Sequence, residues 1–293
     1  MRRATRWLGT ALAGIAFAIL VAVGAVYFRS ERLLSELYLA KAERLVRPTA
    51  AAIADAPRQA RLLGCLSCHG AGLSGNDVID EPWIGEVNAP NLPRLMKQRT
   101  DQQVAAAIRQ GVSADGRPLL VMPSGLFSRL SDADVSALIA WMRSLPADAP
   151  ESRPLTLTLL GRWMLLNGDL PRQPGLVPLY QRAQPPDLGP QHAKGRYIAA
   201  TVCAECHSAD LRGGERPHAD FNTEFGDGTP ASPDLDIAGA YDLLAFSRLL
   251  RTGMPPGGRD LGMMSEVARN DFKEFTDDEI RALHAYLQAR AQR

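Results

Sequence analysis

The chain has 293 residues, of which 33 are lysine or arginine, 32 are aspartate or glutamate and four are cysteine. This length is enough for about two domains. A formal net charge of +1 excludes the strongly basic surface that is typical of nucleic-acid-binding proteins, so we expect no nucleic-acid partner.

The N-terminus combines a basic start with a long apolar run. Arg2, Arg3 and Arg6 precede residues 7–28, none of which carries a charge. These 22 residues match the roughly 20 needed to cross a bilayer, whereas the apolar part of a cleaved signal peptide has about 7 to 15. We therefore predict an anchor in the bacterial inner membrane over residues 1–28, with the N-terminus cytoplasmic and the rest of the chain in the periplasm. The small side chains around residue 24 leave signal cleavage as an alternative.

After the apolar run, residues 29–50 are polar with interleaved leucines, and they are predicted to form a juxtamembrane helix and linker that sets the reach of the chain. The first folded unit is predicted over residues 51–148. It begins with an alanine-rich helix that runs from Thr49 into Cys65, and Pro57 is expected to interrupt this helix.

All four cysteines lie in two copies of one motif, C-x-x-C-H. The copies consist of Cys65, Cys68 and His69, and of Cys203, Cys206 and His207. Thiols at i and i+3 share one face of a helical turn, where they can form thioethers with the two vinyl groups of a haem, and the histidine can then ligate the iron. Thioredoxin-like dithiols and zinc sites also use C-x-x-C, but neither explains a histidine after each pair. We therefore predict two covalently bound haems c, with both histidines as iron ligands.

Two further helices are predicted in the first unit. Residues 102–110 carry apolar side chains at helical spacing and are followed by Gly111, a typical helix end. Ser131 begins an S-x-x-D pattern that marks a helix start, and Pro146 ends the helix.

Met122 lies between these two helices, 53 residues after His69. A thioether sulfur is a soft ligand that suits haem iron, and methionine opposite histidine raises the reduction potential. A methionine can also be a flexible core residue. Because a haem motif precedes it, we predict Met122 as the second iron ligand of the first haem.

Residues 149–185 separate the two units. Their ends are rich in proline, and their apolar centre, residues 155–166, is too short to span a membrane. We predict that this segment packs between the units, with contact to a membrane surface as the alternative.

The second unit is predicted over residues 186–293. Residues 221–233 are rich in glycine, aspartate, threonine and proline and are expected to form a surface loop. A helix over residues 241–251 ends near Gly253, and Thr276 begins a capping box before the closing helix. Three further histidines are expected to be exposed to solvent: His192, His218 and His284.

Met254, Met263 and Met264 compete as the second iron ligand of the second haem. Gly111 and Gly253 lie 142 residues apart, as do the Gly-Arg pairs that follow them at residues 116 and 258, and the same offset carries Met122 to Met264. The separation from the motif histidine also agrees, at 53 residues in the first unit and 57 in the second, whereas Met254 would give 47. We predict Met264.

The two units resemble class I c-type cytochromes in tandem. The tetrapeptide Ala-Pro-Asn-Leu at residues 89–92 looks like the Gly-Pro-Asn-Leu element whose proline carbonyl accepts the N–H of the haem-ligating histidine, although it could be a plain proline turn. Residues 262–267 and 275–280 look like segments of the cytochrome subunits of membrane-bound alcohol, aldehyde and gluconate dehydrogenases. The resemblance implies an all-α fold, with two tandem class I cytochrome c domains after one transmembrane helix.

These features predict an electron carrier and not an enzyme. It would pass single electrons from a periplasmic dehydrogenase to another cytochrome or an oxidase. Two alternatives remain open at this point: a dihaem peroxidase, in which one iron keeps a labile sixth position, and a dihaem subunit of a respiratory oxidase.

Overall fold

The computed structural model describes residues 2–148, 150, 152–214 and 232–293. The described chain is mostly helical, with one N-terminal helix that is long and apolar enough to cross a membrane. His218 and residues 221–231 of the predicted loop lie outside the described residues.

Helix α1 spans Arg2–Leu34. The side chains of its apolar part are exposed, and its most apolar window is 0% buried against the rest of the protein. An apolar helical segment whose side chains are exposed is suited to a lipid environment, because its main-chain groups are already paired within the helix.

Residues 35–49, which we call the strap, form no helix and lie along the first domain. The main-chain N–H of Lys41 donates to the side-chain oxygen of Gln110 at 2.8 Å, and the side-chain amide of Gln110 returns a 2.8 Å bond to the Lys41 carbonyl. Glu43 forms an ion pair of 2.5 Å with Arg109, and both side chains are largely buried. The predicted juxtamembrane helix therefore ends with α1, and the residues after it are bound to the domain instead of free.

The first domain is built from short helices around the first C-x-x-C-H motif. They are α2 (Ala50–Leu62), α3 (Cys65–His69), α4 (Leu92–Met96), α5 (Asp101–Gln110), α6 (Ser124–Phe127) and α7 (Asp132–Ser144). The hydroxyls of Thr49, Thr100 and Ser131 accept hydrogen bonds from the first main-chain N–H groups of α2, α5 and α7. Gly111 ends α5 in a left-handed conformation with φ of 68°.

Pro57 lies inside α2 without ending it, so the predicted interruption is wrong. The proline side chain is exposed, while Ala56 and Ala60 are buried where α2 packs on α7. On the solvent side a missing N–H costs least, since water can satisfy the carbonyl that loses its partner.

A small antiparallel sheet stands beside the first domain and departs from the predicted all-α fold. Its strands are β1 (Asn76–Glu81), β2 (Gly85–Ala89) and β3 (Thr156–Leu157), in the order β1-β2-β3. Four of the six residues of β1 are Asn, Asp or Glu, which are poor strand formers, so its sequence gives little sign of a strand. Ile79 and Ile84 anchor the hairpin in a small second core.

The segment between the domains contains α8 (Leu159–Asn167) and α9 (Gln173–Arg182). Helix α9 packs on α5 and α6 of the first domain, and α8 packs on the C-terminal end of α1. The segment thus joins three parts of the chain.

The second domain contains α10 (Ala193–Thr201), α11 (Leu243–Thr252), α12 (Met263–Asn270) and α13 (Asp277–Ala291). Thr276 and Glu279 form the predicted capping box of α13, and Gly253 ends α11 with φ of 72°. Helices α10 and α13 cross at Gly195, where a Cβ would lie 2.0 Å from the carbonyl oxygen of Ala282. Only a glycine lets the two helices approach this closely.

His284 was expected to be exposed, and this is wrong. It is 6% exposed, and its Nε2 lies 2.8 Å from the carbonyl oxygen of Tyr241. Helix α13 is covered by α10 on one side and by the turn at residues 235–240 on another, so its buried surface is wider than a single apolar stripe. His192 is half-buried, which also differs from the expectation.

The two domains share one contiguous apolar core and are joined by ion pairs across their interface. Arg58 of α2 contacts the Glu279 carboxylate at 2.8 Å, and Arg61 lies 3.8 Å from Asp271. Pairs between helices distant in sequence hold the domains in one relative arrangement.

Candidate functional site

The first motif follows α2 after a sharp turn. Gly64, with φ of 72°, allows the chain to reverse before α3, which consists of the motif itself. His69 is buried, and its Nδ1 lies 2.9 Å from the carbonyl oxygen of Pro90. The hydrogen bond expected at residues 89–92 is therefore present, and the turn is more than a plain proline turn. Asn91 helps to fix it, because its side chain accepts from the N–H of Arg94 at 3.0 Å.

The second motif repeats this geometry with a partner that sequence analysis missed. His207 Nδ1 lies 2.8 Å from the carbonyl oxygen of Pro233. Pro233-Asp234-Leu235 repeats Pro90-Asn91-Leu92, and Asp234 also starts a helical turn by accepting from Asp236 N–H at 2.9 Å. This repeated pattern was visible in the sequence, but Pro233 lies 26 residues after His207, whereas Pro90 lies 21 residues after His69.

The protonation state of His69 suits a metal ligand. Burial lowers the pKa of His69, because the charged imidazolium is poorly solvated there. A neutral ring donates its Nδ1 proton to the proline carbonyl and keeps the Nε2 lone pair for a metal.

The motif cysteines carry unlinked sulfur atoms in an apolar setting. None of the four, all of which lie in the described part of the chain, forms a disulfide. Burial raises the pKa of Cys65 to about 12, of Cys68 to about 11 and of Cys203 to about 12. Thiols of this kind are not poised as redox nucleophiles, which require a lowered pKa.

Both predicted methionines contact the shared core. Met122 and Met264 are half-buried and pack against the apolar cluster that also contacts Cys65 and Cys203. A fully buried serine follows each closely: Ser124 donates to the Ala107 carbonyl at 2.8 Å, and Ser265 to the Gly253 carbonyl at 2.6 Å. The surroundings differ in one respect, since Met122 precedes α6 whereas Met264 lies in the first turn of α12.

The two motifs approach each other at the domain interface. Burial is the largest cause of the raised pKa of Cys65, followed by the neighbouring Cys68 thiol and by the negative charge of Glu205 in the second motif. The charge of Glu205 also raises the pKa of Cys68, where burial is again the largest cause. Ser67 inside the first motif acts in turn on Asp271 of the second domain, whose pKa it lowers against the larger, raising effect of burial. Each motif is thus in electrostatic or direct contact with the domain of the other.

Arg129 connects the domains beside the second motif. Its guanidinium donates to the carbonyl oxygens of Tyr180 and Ala183 at 2.7 Å, of Ala209 at 2.9 Å and of Ala200 at 3.1 Å. Among the described residues no carboxylate lies within ion-pair distance of it. Burial lowers its pKa to about 10, so the group stays charged at neutral pH. We call this arrangement the arginine clasp.

Comparison with known families decides the assignment. The sequence profile of the family described as cytochrome c matches residues 53–146 and 192–291, which together make up more than half of the chain. The chain belongs to the cytochrome c family. The two matched segments contain the two C-x-x-C-H motifs, and membership implies covalently bound haem c.

Several curated cytochromes are similar over most of this cytochrome c chain. The fructose dehydrogenase cytochrome subunit of Gluconobacter japonicus is 26% identical over 251 residues, which is 77% of this chain and 50% of the relative. The cytochrome c subunit of the quinone alcohol dehydrogenase of Gluconobacter oxydans (strain 621H) is 26% identical over 263 residues, or 78% of this chain and 53% of the relative. The corresponding subunit from Komagataeibacter europaeus is 26% identical over 260 residues. The chain therefore spans about half the length of these relatives.

The residues of both cytochrome c domains fit a haem c. Each motif offers two unlinked sulfurs and a histidine whose Nδ1 is fixed by a proline carbonyl, which leaves Nε2 for iron. In the zinc alternative, the two C-x-x-C pairs would have to converge on one ion, but no metal-binding cluster of three His, Cys, Asp or Glu side chains is found in the described residues.

Replacing Met264 with alanine is expected to abolish the sulfur-to-iron charge-transfer absorption of the second haem and to lower its reduction potential, because thioether ligation favours ferrous iron. The measurement is a redox titration of the full chain followed by its absorption spectrum. Met254→Ala is the matched control and should leave both unchanged. Loss of the signal in Met254→Ala, with a native spectrum in Met264→Ala, would show that the alignment of the two domains is wrong.

Proposed function

We propose that this protein is a membrane-anchored dihaem cytochrome c that carries single electrons from a dehydrogenase towards a terminal acceptor in the bacterial periplasm. In the first domain Cys65 and Cys68 hold the haem, with His69 and Met122 as iron ligands. In the second domain Cys203 and Cys206 hold it, with His207 and Met264 as ligands. The haem iron supplies the one-electron chemistry when bound.

The observation that carries this proposal is the pairing of two equivalent motifs across one interface. In each, the histidine is held by a proline carbonyl at 2.9 or 2.8 Å, and Cys65 and Cys203 pack against one shared apolar core. Ion pairs and the arginine clasp hold the domains together, so the two sites keep a constant separation. A constant separation favours transfer from one haem to the next.

The relatives support a dehydrogenase as the donor. The matched proteins are cytochrome subunits of a fructose dehydrogenase and of quinone alcohol dehydrogenases. We assign a periplasmic dehydrogenase as the donor and another cytochrome or an oxidase as the acceptor. This chain itself transfers electrons and performs no substrate chemistry.

The exposed apolar side chains of α1 support a place in the inner membrane. Arginines before the apolar run favour a cytoplasmic N-terminus, so both haem domains would lie in the periplasm. The strap then carries the chain directly from the membrane onto the first domain.

Intact mass of the full chain, produced with the bacterial machinery for haem attachment, tests this proposal. We expect two haem increments, one increment in the Cys65→Ser/Cys68→Ser variant and one in the Cys203→Ser/Cys206→Ser variant. Each variant should also lose one of two redox transitions. A single increment in the unaltered chain would contradict the dihaem assignment, and rapid consumption of hydrogen peroxide by the reduced protein would favour the peroxidase alternative.

A further inference from the structure

Helix α8 presents an apolar face to solvent. Leu159, Leu160 and Trp163 are exposed on one side of the helix, and the opposite side is buried in the second core. Trp83, in the turn between β1 and β2, lies beside the start of α8, because its carbonyl accepts a hydrogen bond from the side chain of the capping residue Thr158. Trp163 is 51% exposed and Trp83 is 55% exposed. We call these four apolar residues the α8 face.

The contacts of Arg162 fix the height of α8 along the membrane helix. Its guanidinium lies 4.6 Å from the centre of the Tyr27 ring and donates to the hydroxyl of Ser30 at 2.9 Å and to Glu31 at 3.1 Å. Tyr27 is one residue from the end of the apolar run at Phe28. A helix rises about 1.5 Å per residue, so α8 lies within about one turn of the point where α1 leaves the apolar segment.

Near the end of the apolar run of α1, the exposed side chains are of the kinds found at a membrane interface. The α8 face carries tryptophan and leucine, and the part of α1 that Arg162 contacts also carries the exposed arginines Arg29 and Arg32. Tryptophan rings favour the headgroup region, and arginines attract the phosphates of anionic lipids. Short amphipathic helices that lie in the bilayer surface combine the same features.

We propose that the α8 face rests in the headgroup region of the bilayer that α1 crosses, as a second membrane contact that holds the first domain against the surface. The inference rests on the proposed function, because it requires α1 to be a membrane anchor. With α1 in the bilayer and Arg162 bound to its last apolar turn, the exposed tryptophans cannot lie far from lipid.

The test uses the full haem-loaded chain in vesicles of phosphatidylethanolamine and phosphatidylglycerol, with the photoreactive residue p-benzoylphenylalanine at one position at a time. Phe17→p-benzoylphenylalanine reports on the anchor, Trp163→p-benzoylphenylalanine on the α8 face, and Leu244→p-benzoylphenylalanine on an exposed position of α11 in the second domain. Mass spectrometry after illumination measures the yield of lipid adducts. We expect adducts at residues 17 and 163, with at least a tenfold lower yield at residue 244.

The outcomes separate this inference from the proposed function. Adducts at residue 17 without adducts at residue 163 would overturn the inference and leave the anchor in place. No adduct at either position would overturn both, and adducts at residue 163 alone would remove the anchor and, with it, the second contact as proposed. Equal yields at residues 163 and 244 would overturn the inference, and so would a protein adduct in place of lipid at residue 163 in native membranes.

Discussion

Arg129→Met is expected to destabilise the haem-loaded chain by about 3 kcal/mol and to lower the reduction potential of the second haem more than that of the first. The variant removes the donor to four main-chain carbonyls, each of which costs about 1–3 kcal/mol when buried without a partner. A cavity of 730 Å³ borders Arg129, so water will satisfy part of this loss. Removing a buried positive charge beside the second motif disfavours the more negative, reduced state of that site.

Two variants separate the structural part of the effect from the charge. Arg129→Lys keeps the charge but loses the planar fork, so we expect lower stability with a nearly native potential. Arg117→Met removes a cation that is 62% exposed on the same domain and should change neither quantity. Urea unfolding and redox titration of each full-length variant provide the measurements. If Arg129→Met kept the native free energy of unfolding and the native reduction potentials, the arginine clasp would contribute neither to stability nor to the potential of the second haem.

Gly195→Ala is expected to destabilise the second domain by about 3 kcal/mol and to reduce haem loading at the second motif selectively. The added Cβ would lie 2.0 Å from the Ala282 carbonyl oxygen and 2.6 Å from the Tyr286 Cβ, both on α13. These are main-chain and near-main-chain atoms, so relief requires α10 and α13 to move apart. The second motif follows directly after α10 and would move with it.

Gly175→Ala in α9 is the matched control, because a Cβ there meets no atom within 4 Å and the main chain is helical. This variant should be neutral or slightly stabilising, by less than about 1 kcal/mol. Thermal unfolding followed by circular dichroism, together with the haem-to-protein ratio, measures both variants. Equal unfolding temperatures and equal haem-to-protein ratios in the two variants would show that α10 and α13 can move apart at Gly195 without loss of stability.

Local signals predicted the parts of the fold that depend on local chemistry. Capping hydroxyls at Ser131 and Thr276 mark helix starts that the structure reproduces, because an N-cap satisfies main-chain groups within one turn. The C-x-x-C-H motifs are local signals as well. The proline at residue 90 lies 21 residues after His69 and was found only through the resemblance of residues 89–92 to Gly-Pro-Asn-Leu.

Contacts between distant residues could not be predicted in this way. Arg129 looks in the sequence like any surface arginine, yet its partners lie 51 to 80 residues away. Strand β1 exists because Ile79 fills the second core beside a segment from residue 157 onwards, and that core overrides a sequence poor in strand formers. The side of α2 on which Pro57 lies depends likewise on α7, which packs on α2 where Ala56 and Ala60 are buried and the proline is exposed.

The strap decides how this cytochrome would meet its redox partners. Fifteen unbound residues could extend about 50 Å, which would let the haem domains diffuse on a tether and visit donors at many heights above the membrane. Bonds from Lys41 and Glu43 to α5 remove that freedom. With α1 as the proposed membrane anchor, the domains would search for partners by lateral diffusion in the plane of the bilayer, so transfer rates should scale with the surface density of the donor and acceptor.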